Sequence, residues 1–271
     1  MIKNDNNNRY DEARRRQDLN VESEQLGVND KYENNTIIQN PYNHIDNYIV
    51  QLIRKKNKKL KFLDYCCGTG LRSRVAAKNG YDCYGIDISK KSIDVAKERI
   101  GSIKSSFSKN YTVGNAEDLH FEDEFFDVVI SYGSFSYLNL QTAMKEIKRI
   151  LKPDGIFIIL DTTKNNPVIN LKRYIKYRRN IVSKYHIDNL FDMKMIYNLE
   201  ANFFEFSDTK FFHFLSALLV PFPENNFFIF FKNFSLLIDS FLQKTPLKYF
   251  FWKFVIILKN PIKKINKEEN Y

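Results

Sequence analysis

The sequence predicts an α/β protein in which short buried strands alternate with helices around a largely parallel sheet. Apolar runs of strand length, helix-compatible stretches between them and a glycine turn after the first run predict this fold class. The first run ends at Asp64, and the turn that follows contains Gly68 and Gly70. A strand, a glycine turn and a helix in this order bring backbone N–H groups close to a ligand. A binding site is therefore expected at the carboxyl end of the first strand.

A second apolar run ends at Asp87, twenty-three residues after Asp64. An acid at this position is placed to accept hydrogen bonds from ribose hydroxyls. Alone, Asp87 would more often be a helix cap, although Ser89 is the better cap for the helix that begins at Lys90. Together with the glycine turn, Asp87 predicts a cofactor that contains a nucleoside.

The glycine spacing separates two classes of cofactor. A dinucleotide site needs Gly-x-Gly-x-x-Gly, but Ser73 stands at the third glycine position. The pattern Asp-x-Gly-x-Gly-x-Gly fits Asp64, Gly68 and Gly70, with Cys66 replacing its first glycine. This turn resembles motif I of the class I S-adenosylmethionine-dependent methyltransferases, in the type 11-like family. A negative φ would make Cys66 harmless, whereas a positive φ costs a non-glycine residue about 1 kcal/mol or more.

The following segments also resemble this family, closely over residues 60–163. The family usually has Gly-Asp-Ala after the third strand, where this chain has Asn115 and Ala116. The Asn115 carbonyl can still accept a hydrogen bond from an adenine amino group. The apolar run 126–131 suits a strand buried on both faces, and a fifth strand is expected at 155–161 after a Pro-Asp-Gly turn.

The resemblance implies a Rossmann-like seven-stranded methyltransferase sheet, in which five parallel strands are followed by a closing antiparallel hairpin. The hairpin strands are expected at 203–206 and 249–258, and the last core helix at 187–201. The expected parts are a helical N-terminal cap segment (1–59), the cofactor-binding core (60–163), and a C-terminal part (164–271) with a helical substrate-lid insert at about 208–245. Tyr42 or His44 of the cap segment could reach the cofactor, although a structural role is the more common one for such residues.

The resemblance also implies which residues hold S-adenosyl-L-methionine. Asp64 would serve the amino group directly or through water, with the Ser131 carbonyl as a second acceptor. Asp87 would take the ribose and Ile88 would pack against adenine. The expected cofactor contacts are Asp64, Cys66, Gly68, Gly70, Asp87, Ile88, Asn115, Ala116 and Ser131. No Cys/His set has metal-ligand spacing, so no metal is expected.

Methyl transfer from an activated sulfonium needs mainly proximity and alignment, and a general base only when the acceptor must lose a proton early. Tyr132 and Tyr137 follow the fourth strand, where the methyl group should point, and Asp161 ends the fifth strand on the same rim. Tyr137 and Asp161 are therefore the candidate catalytic residues. Each is more often a pocket wall or a cap.

Charge and aromatic residues are concentrated in the last third of the chain. Residues 61–163 carry 14 basic and 14 acidic side chains, whereas residues 164–271 carry 17 and 9, together with 24 of the 41 aromatic residues. Two apolar stretches there, 211–222 and 227–242, are too short or too interrupted to span a membrane. A packed lid over an apolar pocket is favoured over an interfacial patch, because exposed phenylalanines promote aggregation. A small apolar or aromatic acceptor is expected, such as an isoprenoid, a quinone precursor or a lipid.

Two alternatives remain open from the sequence. Residues 172–179 interleave bases with aromatic residues, which would suit an RNA-modifying methyltransferase, although the neutral core makes a nucleic-acid partner the weaker expectation. A non-catalytic cofactor-binding relative is weaker still, because the binding residues are nearly complete. Three cysteines without a disulfide framework predict a cytoplasmic protein, with peripheral membrane contact as an open alternative.

Overall fold

The computed structural model describes residues 2–25, 34–56 and 58–262. Side-chain positions are described from Arg9 onward. Its helices are α1 (Ile2–Gln25), α2 (Thr36–Lys56), α3 (Ser73–Lys78), α4 (Lys90–Gly101), α5 (Leu140–Ile150), α6 (Pro167–Arg178), α7 (Lys184–Asp188), α8 (Met193–Asn202) and α9 (Asn226–Leu242). Its strands are β1 (Lys61–Tyr65), β2 (Asp82–Asp87), β3 (Tyr111–Val113), β4 (Phe126–Tyr132), β5 (Leu151–Thr162), β6 (Phe204–Phe212) and β7 (Lys253–Pro261).

The strands form one seven-stranded sheet in the order β3-β2-β1-β4-β5-β7-β6. Strands β1 to β5 pair in parallel, and β7 is antiparallel to both β5 and β6. The predicted seven-stranded fold with its closing antiparallel pair is therefore confirmed. The central strand β1 lies between β2 and β4, with Tyr65 paired to Ile86 and to Ser131. This register brings the carboxyl ends of the three strands to one edge, where ligands bind in open α/β sheets.

Helices cover both faces of the sheet and bury its apolar side chains. On one face, Met144 and Ile147 of α5 and Leu199 of α8 belong to the same buried cluster as residues from β1, β4 and β5. On the other face, Ile49 of α2 and Ala96 of α4 pack in a second cluster. This two-sided burial explains the near-continuous apolar runs in the sequence.

Several element boundaries differ from those expected. Strand β6 extends to Phe212, which pairs with Lys253, so the expected helical stretch 211–222 begins as strand. Strand β7 begins at Lys253 rather than at 249, because that pairing sets its start. Strand β5 begins at Leu151 and bulges before Ile156, so the Pro-Asp-Gly turn lies inside the strand and not before it.

The expected last core helix over 187–201 is two helices. Helix α7 ends at Asp188, and Asp192 caps α8 by accepting a hydrogen bond from the Met195 N–H at 2.8 Å. Such a cap starts a new helix, because it satisfies a backbone donor that otherwise has no partner inside the helix. Within the described parts of the chain, none of these helices is both long and apolar enough to cross a membrane.

Candidate active site

Two adjoining cavities lie at the carboxyl ends of β1, β2 and β4. The first has a volume of about 210 Å³ and the second about 330 Å³. They share four wall residues, Gln17, Asn20, Cys66 and Tyr132. Together they form one elongated site, which is the shape an extended nucleoside cofactor requires.

The turn after β1 is held in left-handed backbone conformation. The φ angle is +58° at Cys66, +50° at Gly68 and +69° at Gly70. The Cys67 N–H donates to the Ile86 carbonyl, and the Gly70 N–H donates to the Cys67 carbonyl, both at 2.9 Å. Cys66 therefore adopts the conformation that is costly for a side chain, by about 1 kcal/mol or more.

Gly70 is needed for a second reason, its close approach to helix α4. A Cβ atom added at Gly70 would lie 3.0 Å from the Ala96 Cβ. The Arg99 guanidinium of the same helix donates a hydrogen bond to the Thr69 carbonyl, and this contact ties the turn to helix α4. Although Gly70 shapes the turn, it does not line either cavity.

Asp87 lies at the end of β2 and lines the first cavity. One carboxylate oxygen accepts from the Gly68 N–H and the other from the Ser89 N–H, both at 2.9 Å. Each oxygen keeps a free lone pair, so the carboxylate can accept two further hydrogen bonds. Burial raises the pKa of Asp87, and the two backbone donors oppose that rise.

Asp64 lies at the end of β1 and lines the second cavity. Its side chain is 1% exposed and accepts a hydrogen bond of 2.5 Å from the Ser73 hydroxyl. Burial raises its pKa to about 7; the Ser73 hydrogen bond lowers the pKa, and the charge of Asp87 raises it. Asp64 is thus a carboxyl group that a nearby cation would convert to its charged form.

Asn115 and its neighbours form another wall of the first cavity. The side-chain carbonyl of Asn115 accepts a hydrogen bond from the Glu117 N–H at 2.9 Å, which leaves that oxygen one free lone pair. The side-chain amide of Asn115 donates to the Tyr10 hydroxyl at 3.4 Å. Tyr65 donates to the Ala116 carbonyl at 2.7 Å. Ile88 also lines this cavity. The structure thus brings together the expected adenine-side residues.

Two expected residues lie behind the cavity walls. The Ser131 hydroxyl is buried and hydrogen-bonded to that of Ser134 at 2.6 Å. Asp161 accepts from the backbone N–H groups of Phe135, at 3.3 Å, and Thr162, at 2.7 Å. Burial raises the pKa of Asp161 to about 6, and neither residue lines a cavity. In this arrangement Asp161 positions the turn that carries Tyr137.

Tyr137 does line the first cavity, beside His186. Their rings stack with centroids 4.8 Å apart, and Arg16 donates to the Tyr137 hydroxyl at 2.6 Å. Burial raises the pKa of Tyr137 to about 12, so its phenol is protonated near neutral pH. Burial and the charge of Arg16 lower the pKa of His186 to about 4, so its imidazole is uncharged.

Helix α1 supplies cavity residues that the sequence did not reveal. The residues it contributes to the first cavity are Tyr10, Ala13, Arg16, Gln17 and Asn20. Polar contacts hold the helix in place: Arg9 pairs with Glu117 at 3.0 Å, and Ser89 donates to Asp18 at 2.6 Å. Because α1 has few apolar residues and no apolar stripe, its sequence gave no packing signal.

Tyr42 of helix α2 lines the second cavity, whereas His44 instead contacts Phe212. The Tyr42 ring lies 5.7 Å from that of Tyr132, and the Arg72 guanidinium lies 3.6 Å from its centroid. Of the two cap-segment residues expected within reach of the cofactor, the structure places one at the site.

The free lone pairs of Asp87 fit the hydroxyls of a nucleoside cofactor. Among the described residues, the Tyr132 hydroxyl and the His186 Nδ1 are buried without a hydrogen-bond partner, although both residues belong to the wall of the first cavity. Buried polar atoms are normally paired, so these two side chains would have to turn toward the cavity to bond a ligand. In the described part of the chain, no group of three or more Asp, Glu, His or Cys residues could hold a metal ion.

Helix α9 contributes no residue to either cavity. Its large side chains, including Phe227, Phe230 and Phe241, are exposed instead. The expectation that this stretch packs as a lid over an apolar pocket is therefore wrong for α9. The polar side of the helix, with Lys232, Ser235 and Asp239, packs inward.

Comparisons with known proteins place this site in a family. Residues 63–159 match the family described as a methyltransferase domain. That range contains the turn after β1, Asp87, Asn115 and the strands that carry them. Residues 63–159 of this chain are therefore a methyltransferase domain. The expected enzyme class and cofactor are therefore confirmed at the level of this domain.

Related sequences and structures agree with this assignment. A demethylmenaquinone methyltransferase of Staphylococcus aureus (strain MRSA252) is 34% identical over 125 residues, which cover 44% of this chain and 50% of that protein. The chain thus spans about half the length of the curated relatives it matches. The crystal structure of MccD protein superimposes with a TM-score of 0.52 at 21% identity, covering 79% of this chain and 96% of that one.

A second solved structure shares the same fold. Geranyl diphosphate methyltransferase in complex with GPP and sinefungin has a TM-score of 0.51 at 14% identity, covering 80% of this chain and 78% of that one. At these identities, both structures show that the fold of the methyltransferase domain is shared.

Proposed function

We propose that the protein transfers a methyl group from S-adenosyl-L-methionine to a small apolar or aromatic acceptor, such as an isoprenoid, a quinone precursor or a lipid-like molecule. One observation above all supports this reaction type: the cavity that Asp87 lines lies largely within residues 63–159, the segment that matches the methyltransferase domain. The acceptor class rests on other features of the molecule.

Each cavity residue has a separate binding role in this proposal. Asp87 accepts hydrogen bonds from the ribose hydroxyls, and Asn115 with the Ala116 backbone reads the adenine edge. Asp64 holds the amino group of the methionine part. The methionine carboxylate lies against the turn at Gly68 and Thr69, which lines the second cavity.

The bound cofactor supplies a methyl group already activated on a sulfonium sulfur. The task of the protein is to align the acceptor with that group and to exclude water. Tyr132 is a wall residue of both cavities and lies where they adjoin. Helix α1 closes the first cavity from outside through Arg16 and Gln17. Together these side chains limit the volume in which an acceptor can sit.

Tyr137 acts on the acceptor side of the site. Its oxygen accepts from Arg16 and its own O–H remains free to donate, because the pKa near 12 keeps it protonated. A donor in that position orients an acceptor oxygen or nitrogen. Asp161 acts through the backbone, by holding the Phe135 N–H at 3.3 Å.

The acceptor class is supported by similarity and by composition. The relative that is 34% identical is named a demethylmenaquinone methyltransferase, and its matched segment covers 44% of this chain. The last 108 residues hold 24 of the 41 aromatic side chains. The similarity favours an apolar acceptor. The aromatic residues are relevant only to an acceptor in or at a membrane, because none of them lines either cavity.

An RNA acceptor is the second candidate, and one surface supports it. Helix α6 exposes Tyr174 and Tyr177 among basic residues, an arrangement that can stack bases and hold phosphates. However, Leu171 and Ile175 on the same helix are 61% and 43% exposed. Apolar side chains beside cations suit lipid better than polynucleotide. Salt separates the two, since binding of RNA weakens steeply as salt increases and pocket binding of a neutral molecule does not.

Calorimetry with S-adenosylhomocysteine tests the cofactor assignment. Asp87→Ala should reduce the affinity at least ~100-fold, because it removes both ribose acceptors and the support of the turn. Asp94→Ala is the matched control, since Asp94 is exposed and pairs with Lys90 on α4. Near-normal affinity of the Asp87 variant would overturn the proposal.

The acceptor is tested by incubating enzyme and cofactor with a lipid extract and with total RNA separately. The proposal expects a small apolar compound in the extract to gain the mass of one methylene group. Methylation of the RNA sample alone would show the second candidate to be correct.

A further inference from the structure

Helix α9 packs with its polar side inward and its apolar side outward. Lys232, Ser235 and Asp239 are buried, at 0%, 7% and 4% exposure. Phe230 and Phe241, on the opposite side, are 67% and 63% exposed. A surface helix of a soluble protein normally shows the reverse arrangement. The outward apolar face therefore needs an explanation of its own.

Hydrogen bonds fix this orientation. The Lys232 ammonium donates to the Phe222 carbonyl at 2.7 Å and pairs with Glu224. The Asp239 carboxylate accepts from the backbone N–H groups of Leu215, at 2.9 Å, and Ser216, at 3.2 Å, and from the Ser216 hydroxyl at 2.7 Å.

Rotation of the helix about its axis would break these contacts and leave the Phe222 carbonyl and the Leu215 and Ser216 N–H groups without these partners. Such a loss is strongly destabilising. The sequence thus specifies that the phenylalanines face outward.

The exposed face is long and carries no charge among its described residues. We call it the α9 face, formed by Phe227, Phe230, Phe231, Phe234, Leu237 and Phe241. The helix has 17 residues, a length of about 25 Å at 1.5 Å per residue. After it, Leu247, Tyr249 and Phe250 are also exposed. An apolar surface of this extent marks a binding surface.

Charge indicates what covers this face. Lys244 and Lys248 follow directly in the chain, and residues 164–271 carry 17 basic against 9 acidic side chains. A second copy of the chain would bring two positively charged regions together, whereas an anionic lipid surface has the opposite charge. Basic residues near such a surface contribute about 1 kcal/mol each. Apolar helices flanked by cations lie in the interface of membranes in this way.

We propose that the α9 face docks onto an anionic membrane surface, with the helix lying in the plane of the interface. The phenylalanine side chains enter the boundary between headgroups and acyl chains, while Lys232 and Asp239 hold the helix against the protein. This binding goes beyond the methyl transfer proposed above and does not depend on it.

Sedimentation of the 271-residue chain with lipid vesicles tests the proposal. The chain should bind vesicles made of equal parts phosphatidylcholine and phosphatidylglycerol, and bind pure phosphatidylcholine more weakly. The double substitution Phe230→Ser and Phe234→Ser should weaken binding at least ~10-fold, because two inserted rings are lost. Phe206→Ser is the matched control, since Phe206 is 60% exposed on β6 and outside the α9 face. Equal binding of the double variant and the unaltered chain would refute the proposal.

Two further measurements keep the result decisive. Unchanged affinity for S-adenosylhomocysteine shows that the double variant is folded. In a Trp252→Phe background, Phe230→Trp should shift its fluorescence to shorter wavelength when anionic vesicles are added, because the indole leaves water. An unshifted spectrum would contradict insertion. A dimer that the double variant dissociates, with no vesicle binding, would show that a second copy covers the face instead.

Discussion

At the scale of single residues, the site contains two carboxyl groups in different surroundings. Asp87 receives two backbone hydrogen bonds, whereas Asp64 receives one from Ser73 and is almost completely buried. Hydrogen bonds favour a charged carboxylate and burial disfavours it. Asp64 is therefore the group whose protonation the cofactor is expected to change.

Cofactor affinity should depend on pH through Asp64. Its folded pKa of about 7 lies above the ordinary value of 3.8, so its contribution to stability is complete below about pH 4 and is lost as pH rises through about 7. The ammonium of the cofactor favours the carboxylate, so binding below pH 7 should release a proton. Affinity should then rise about fivefold from pH 6 to pH 7.

Calorimetry in buffers of different ionisation enthalpy measures that proton release. Asp64→Asn should remove both the release and the pH dependence, and Asp94→Asn should keep them. A proton release that persists in the Asp64 variant would assign it to another group.

Tyr137 is expected to affect turnover rather than cofactor binding. Tyr137→Phe keeps the ring that stacks on His186 and removes only the hydroxyl that accepts from Arg16. We expect turnover to fall about tenfold, as for loss of one hydrogen bond near the reacting atoms, with unchanged affinity for S-adenosylhomocysteine. Tyr174→Phe, at an exposed position on α6, is the control. An unchanged rate would remove Tyr137 from the reaction.

Individual residues were predictable from the sequence where a motif fixed their spacing. Asp64 and Asp87 lie at the ends of β1 and β2, Asn115 follows β3, and all three line the site. His186 belongs to no motif, and it reaches the cavity only because α7 packs beside the turn that carries Tyr137. The sequence also could not predict whether the φ angle of Cys66 is positive or negative, because the conformation of the whole turn decides it.

At the scale of elements, α1 and α9 show where sequence patterns stop predicting structure. Helix α1 has no apolar stripe, and polar contacts such as the ion pair of Arg9 and Glu117 hold it against the protein instead. Helix α9 has an apolar stripe that predicted a buried face, yet its buried face is the polar one. Periodicity gives the two sides of a helix, and only the surrounding contacts decide which side is buried.

Helix α1 should be required for cofactor binding more than for folding. It supplies five residues to the first cavity, while Val21 is its one apolar residue in the described core. We expect deletion of residues 1–25 to weaken binding of S-adenosylhomocysteine at least ~10-fold, a loss of about 1.4 kcal/mol, because one wall is removed.

The melting temperature of the truncated chain should change little, which scanning calorimetry measures. A large drop in melting temperature would instead make α1 part of the core. Unchanged affinity would mean that the cofactor does not contact the helix.

At the scale of the whole molecule, the exposed apolar surface of α9 lies apart from the two cavities. The core is neutral by sequence, and the C-terminal part carries most of the positive charge. The cavities lie at the strand ends, while the α9 face belongs to the connection between β6 and β7. The parallel sheet was predictable from the alternation of strands and helices, and the closing antiparallel pair from the resemblance to a known family. The separation of the α9 face from the two cavities was not predictable, because it depends on how the connection between β6 and β7 packs.

If the acceptor is taken from a membrane, catalysis should depend on the α9 face only when the acceptor is in a bilayer. With a long-tailed acceptor in anionic vesicles, Phe230→Ser with Phe234→Ser should lower kcat/KM about tenfold, because fewer enzyme molecules are at the surface. With a short-chain, water-soluble analogue, the same variant should match the unaltered enzyme, because the cofactor site is intact. Equal losses on both acceptors would assign the phenylalanines to the catalytic fold. Equal rates on both would show that the acceptor reaches the site from water.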